Sequence, residues 1–173
     1  MAILPILVAP DPRLKTKAKA VEKVDDGIRQ LMEDMLETMY QAPGIGLAAP
    51  QVGVAKRVVV IDVAKEDEEP QPLRMVNPEI IWASDDEELY EEGCLSLPEQ
   101  FADVVRSVAV RVRYVDHQNE IREFDADDIL GICVQHEIDH LEGTLFVDHI
   151  SKLKRNMILR KLQKARKDQP VTV

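Results

Sequence analysis

The segment Gln135-His136-Glu137-Ile138-Asp139-His140 sets two imidazoles four residues apart with a carboxylate between them. On a helix, positions i and i+4 share a face with β carbons ~5–6 Å apart, so both rings can reach one cation at ~2.0–2.1 Å per bond. Glu137 follows the first histidine and falls beside the ligands, where it can accept a proton from a water that the cation activates. The pattern reads as a hydrolytic metal centre. Two core histidines bonded to carbonyls are the plainer reading, preferred for either residue alone; the intervening glutamate on an apolar helix favours the metal. His117 and His149 lack such a setting and read as surface or structural residues.

A catalytic metal needs a third protein ligand and an open position. Cys133 lies three residues before His136, but three ligands on one continuous helix converge poorly on a tetrahedron, and Cys133 also reads as a small buried apolar residue. Cys94, on a separate segment, is the better candidate. A disulfide between these two cysteines is the lesser alternative in a chain of this size.

The elements that must position these residues follow from periodicity. Ile28, Leu31, Met32, Met35, Leu36 and Met39 recur at three- and four-residue steps, predicting an amphipathic helix capped by Asp25 or Asp26 and ended by Pro43-Gly44. Its methionines read as core filling. β-branched runs at Arg57 to Val63, at Met75-Val76 and Ile80-Ile81, and over Val104 to Val115 predict antiparallel strands. Asp125 to Asp128 introduce Ile129 to Leu141, a helix apolar almost all round and therefore central and buried, which Gly143 is placed to stop. The final segment carries Leu153, Met157, Ile158, Leu162 and Ala165 on one side. It also holds eight Lys and Arg after Ser151, against the single acid Asp168. That basic helix reads as a solvated outer face or a docking surface.

At 173 residues and 45% apolar content the chain suits one compact domain. The charge of -10 has the wrong sign for a general nucleic-acid binder, and 4% aromatics make a base-stacking platform a poor fit. Met1 to Val8 lacks a basic flank and is broken by Pro5, unlike a signal peptide. No apolar run approaches the ~20 residues that span a bilayer. A cytoplasmic protein is expected. Lys65 to Pro72 reads as an exposed loop rather than a linker between domains.

Three blocks together resemble the bacterial peptide deformylases: Gly44-Ile45-Gly46-Leu47-Ala48-Ala49-Pro50-Gln51, Glu92-Gly93-Cys94-Leu95-Ser96-Leu97-Pro98, and Gln135 to Gly143. The histidine motif alone is shared with many metalloproteases; the trio is specific. The resemblance implies a single catalytic domain over residues 1–173. Its α+β fold would pack antiparallel sheets around the buried histidine helix, with an N-terminal and a C-terminal helix. It implies that Cys94, His136 and His140 hold one divalent ion, Fe(II) in the cell, with Zn(II), Ni(II) or Co(II) as substitutes in isolated protein.

The implied reaction removes formyl from the N-terminal formylmethionine of new polypeptides. Glu137 would serve as base and then acid, and the Gln51 amide and the Leu95 backbone N–H would stabilise the oxyanion. The Ile45-Gly46 stretch and Gly93 would pair with the extended substrate. Ile45, Tyr90, Glu92, Ile129, Ile132, Cys133 and His136 match the methionine pocket, with Glu92 a structural carboxylate rather than a second base. Asp139, facing away from the metal, and Arg106 read as a scaffold pair. Phe101 stands at the substrate rim where several relatives carry a basic residue. The implied protein is a monomer whose partners are formylmethionyl peptides, nascent chains and, through the basic C-terminal helix, the ribosome. An endopeptidase and a ribosome-associated binding protein without catalysis are the alternatives; the Gly-Ile-Gly-Leu block and the intact site residues argue against each in turn.

Overall fold

The computed structural model describes residues 2–168. Helix α1 (Asp26–Gln41) begins at Asp25, whose carboxylate accepts from the Ile28 N–H as an N-cap. Seven strands follow: β1 (Gly46–Ala48), β2 (Val58–Ile61), β3 (Leu73–Ala83), β4 (Glu87–Cys94), β5 (Leu97–Ser107), β6 (Ala109–Val115) and β7 (Ile121–Asp127). Helix α2 (Asp128–Leu141) carries the histidine motif, and α3 (Lys152–Asp168) follows. The architecture is α+β, with an antiparallel five-stranded sheet ordered β1-β2-β3-β6-β7 and a separate antiparallel pair, β4-β5.

Val58-Val59-Val60-Ile61 is apolar without alternation because both faces of the large sheet are covered. Val59 and Ile61 pack towards Val134, Ile138 and Leu141 of α2. Val58 and Val60 join Ile28, Met32, Met35 and Met39 of α1, so the methionines are core filling as expected. A third cluster joins Leu97 and Val104 of β5 to Phe146, Val147 and, from α3, Ile158 and Leu162. The Lys65–Pro70 charges lie in solvent on the connection from β2 to β3.

Two expectations require correction. The Val104 to Val115 run is not one strand: it breaks after Ser107, and its halves join different sheets. Buried Gln135 of α2 holds the break, accepting from the Ser107 N–H at 3.2 Å and donating to the Ser107 carbonyl at 2.9 Å. A side-chain amide thus takes the place of a neighbouring strand. Asp125 to Asp127 do lead into the helix, but as the end of β7: Asp127 is the N-cap position, and the helix starts at Asp128, one residue before the expected Ile129.

The α3 face also divides. Ile158 and Leu162 are buried, whereas Leu153, Met157 and Ala165 are exposed. Residues at 153 and 157 lie about 100° round the helix from 154 and 158, and the core covers only the stripe centred on Ile158 and Leu162.

Candidate active site

Helix α2 enters the site from the core. Its end is fixed by a Schellman motif: Gly143, at φ +75, donates to the His140 carbonyl and Thr144 donates to that of Asp139. A Cβ on Gly143 would lie 2.5 Å from the Lys15 carbonyl oxygen. Glycine at this position both turns the chain and admits the neighbouring backbone, which anchors the helix that bears the histidines.

The hairpin β4-β5 delivers Cys94 at its turn. Cys94 Sγ lies 3.4 Å from His140 Nε2, which lies 3.2 Å from His136 Nε2. All three donor atoms fall within 4.8 Å of one another. A tetrahedral cation with bonds of ~2.0–2.3 Å needs donors separated by about 3.3–3.6 Å, so these spacings suit a metal ion. Cys133 is not among them; its thiol faces the Ile45 carbonyl at 3.8 Å, and burial pushes its pKa up. Both cysteines are free, which removes the disulfide alternative.

A buried ionic chain orients the ligands. Arg106, 4% exposed at its side chain, donates to both Glu92 oxygens at 2.6 and 2.8 Å and to Asp139 at 2.6 Å. Glu92 Oε1 also faces His136 Nδ1 at 2.9 Å, which places the proton on Nδ1 and directs the Nε2 lone pair at the cluster. Burial alone would raise the Glu92 pKa, but hydrogen bonds from Arg106 and His136 prevail and hold it at about 2. His149 extends the chain towards solvent, 2.8 Å from Asp139. Among the described residues, buried His140 Nδ1 has no partner.

Glu137 is 2% exposed, with its nearer oxygen 3.9 Å from His140 Nε2. Burial raises its carboxyl to about 7, against an opposing pull from His136. Gly46 passes so close that a Cβ there would lie 2.7 Å from Cys133 Sγ and 2.9 Å from Glu137 Oε2. Gln51 is held from both ends: its Oε1 accepts from the Ala48 N–H at 2.9 Å, while Nε2 faces Cys94 Sγ at 3.6 Å and Ser96 Oγ at 3.1 Å.

These groups open into a cleft of about 650 Å³, the size range of sites for drug-sized ligands. Ile45, Gly46, Gln51, Tyr90, Glu92, Gly93, Cys94, Leu95, Ile129, Ile132, Cys133, His136 and Glu137 all line it, so the residues expected to bind substrate share one concave surface. Phe101 crosses its rim with its ring over Gly93, where a Cβ would lie 2.6 Å from the ring.

The family profile described as polypeptide deformylase matches residues 3–156. The chain belongs to the polypeptide deformylase family. It is 58% identical to a peptide deformylase of Phenylobacterium zucineum over 164 residues, covering 95% of this chain and 97% of the relative. The crystal structure of peptide deformylase from Ehrlichia chaffeensis superposes with a TM-score of 0.92 at 40% identity, covering 96% of this chain and 98% of that one. A second structure of the Ehrlichia deformylase, in complex with actinonin, gives 0.92 at 41% identity over 98% and 100%.

Within the deformylase frame, three contributions escaped sequence reasoning. Ser96 is wholly buried and receives Gln51; Gln135 separates the two sheets; and Arg106 clamps Glu92 in addition to Asp139. Ser96 lies inside the second sequence block, so its position was visible although its task was not. In the β4-β5 ladder Glu92 lies opposite Ala102 and Arg106 opposite Glu88, so the pair meets across four ladder positions and no local pattern announces it.

Proposed function

We propose that this chain is a metal-dependent hydrolase that removes the formyl group from the N-terminal formylmethionine of newly made polypeptides, releasing formate and a free amine. The convergence of Cys94, His136 and His140 beside buried Glu137, at the floor of a cleft bordered by Gly46 and Gly93, is the observation that carries this reading. Cys94, His136 and His140 would hold one divalent ion, Fe(II) in the cell and Zn(II), Ni(II) or Co(II) as substitutes. When bound, that ion supplies positive charge that activates water and polarises the formyl oxygen.

The chain's own groups do the rest. Glu137, with a carboxyl near neutrality, takes a proton at its carboxylate from the attacking water and returns it to the departing amine nitrogen. The Gln51 Nε2 amide and the Leu95 N–H donate to the oxygen on which negative charge develops. Gln51 needs no reorganisation for this, since Ala48 and Ser96 already hold its amide plane. Glu92 works at one remove: locked to Arg106, it fixes the His136 ring.

Ile45, Gly46 and Gly93 would pair with the peptide backbone, a recognition indifferent to side chains. Tyr90, Ile129, Ile132 and Cys133 would enclose the methionine. We assign residues 1–173 to one catalytic domain acting in the cytoplasm. The exposed lysines of α3 would dock on the ribosome. No described helix is long and apolar enough to cross a membrane.

The decisive experiment measures formate release from a formyl-Met tripeptide by protein purified without oxygen, with metal content determined in parallel. One bound ion and rapid release are expected. Cleavage of internal peptide bonds instead would support the endopeptidase alternative, and metal-loaded protein inert on formylated peptides would end the proposal. Truncating α3 is a poor docking test because Ile158 and Leu162 belong to the core. Reversing the charge of exposed Lys152 and Lys164 should weaken ribosome binding and leave tripeptide turnover intact; undiminished binding would remove the docking assignment.

A further inference from the structure

The cleft of about 650 Å³ takes a ligand the size of formylmethionine with two following residues, yet the proposed substrate is a longer chain. A second groove of about 460 Å³ begins where the cleft ends, and Phe101 forms part of both walls. Along β5, Phe101, Asp103 and Val105 share the outward face. From Phe101 to Val105 the strand advances about 13–14 Å, the reach of four extended residues. Opposite stand Ile150 and Met157, with Lys154 and Lys161 at the α3 rim.

Two features of this groove look unlike a solvated surface. Phe101, Val105 and Met157 are respectively 63%, 51% and 49% exposed although all are large and apolar. Met157 lies on the part of α3 that the core leaves uncovered, and an unbranched thioether adapts to varied side chains. The two lysines outnumber the one carboxylate, Asp103, which gives the rim a positive bias towards acidic or neutral chains.

We propose that this groove receives the substrate residues that follow the first three, so that the enzyme grips a nascent chain over about seven residues. Continuity with the catalytic cleft through Phe101 identifies the occupant as the downstream part of the molecule whose N-terminus lies at Glu137. Phe101 is then the hinge between a backbone-reading cleft and an adaptable apolar track. The inference rests on the deformylase reading and adds where the downstream part of that substrate is held.

The test compares kcat/KM for formyl-Met peptides of three, seven and ten residues with neutral downstream sequences, using full-length metal-loaded protein. A rise of about tenfold from three to seven residues is expected, with none from seven to ten. Val105→Glu and Met157→Glu alter exposed positions that folding tolerates. Each should erase the rise while tripeptide turnover stays within about twofold. Leu89→Glu, an exposed position outside both cavities, should retain it. Equal kcat/KM for three and seven residues, or a rise that survives both groove substitutions, overturns the proposal. So does a defect confined to ribosome-bound chains without any length effect on free peptides, because the groove would then serve a different partner. Absence of hydrolysis of every formylated peptide would bring down the deformylase reading itself, and this inference with it.

Discussion

Helices α2 and α3 bring charged and polar residues to the molecule under opposite conditions. On α2, Gln135, Glu137 and His140 are buried and His136 nearly so. Burial makes each unpaired polar atom costly, and the helix answers with fixed partners: Ser107 for Gln135, Glu92 for His136, and Arg106 with His149 for Asp139. On α3, lysines 152, 154, 161 and 164 are exposed. Solvent satisfies them, and their geometry is correspondingly loose. The difference shows why precise chemistry sits on the helix that is harder to build. The His136 ring is oriented because its Nδ1 is committed to Glu92 in a dry, packed neighbourhood, whereas His140, whose Nδ1 has no partner among the described residues, is placed by burial.

The contrast can be broken most severely at Glu137. Glu137→Gln should lower kcat for formate release by about 10⁴-fold, the upper range for loss of a positioned acid-base group, while metal content stays at the wild-type level. Turnover within tenfold of wild type would show that the carboxylate does not move the proton. Next comes Arg106→Ala, which leaves Glu92 and Asp139 buried without their cation. A loss of ~3–5 kcal/mol in urea unfolding is expected, together with weaker metal retention as His136 loses its orientation.

On α3, Ile158→Ala should cost ~2–3 kcal/mol, because the side chain belongs to the third core cluster. Lys164→Glu should change stability by less than ~0.5 kcal/mol. If the two α3 variants proved equally destabilising, the division of that helix into a packed stripe and a solvated face would be wrong.

A pH-dependent effect sharpens the comparison at the junction between the helices. Asp148 is bonded to Lys15, the Leu145 N–H and Arg155 of α3. Burial would raise its pKa, but these partners prevail and hold it below the usual carboxylate value. A depressed folded pKa stabilises the protein above the ordinary value near 3.9 and loses that contribution as pH falls through the lowered one. Asp148→Asn should therefore remove about 1 kcal/mol at pH 7 and flatten the acid limb of a Tm-against-pH curve below pH 4. An unchanged acid limb would mean the ion pairs contribute nothing.

Much of this was legible without coordinates, and the reasons are local. The α1 stripe of Ile28, Met32, Met35 and Met39 is a 3.6-residue period, and Asp25 supplies an N-cap one turn ahead of it. Gly143 marks a left-handed turn that only glycine adopts without strain. His136 and His140 must share a face of any helix that contains them. The split after Ser107 was hidden because alternation in Val104 to Val115 continues across it; the competing signal was Gln135, twenty-eight residues further on.

The sequence by itself determined the chemistry available to this protein: two imidazoles in step, a carboxylate between them, a thiol on another segment and three blocks shared with one family. Spacing along a helix is set by covalent geometry, so such facts survive any packing. Only the tertiary structure decided which acid clamped His136, where the Val104 to Val115 run broke, and which side of α3 met the core. Those outcomes depend on strand register and burial, where contacts between distant residues compete for the same space.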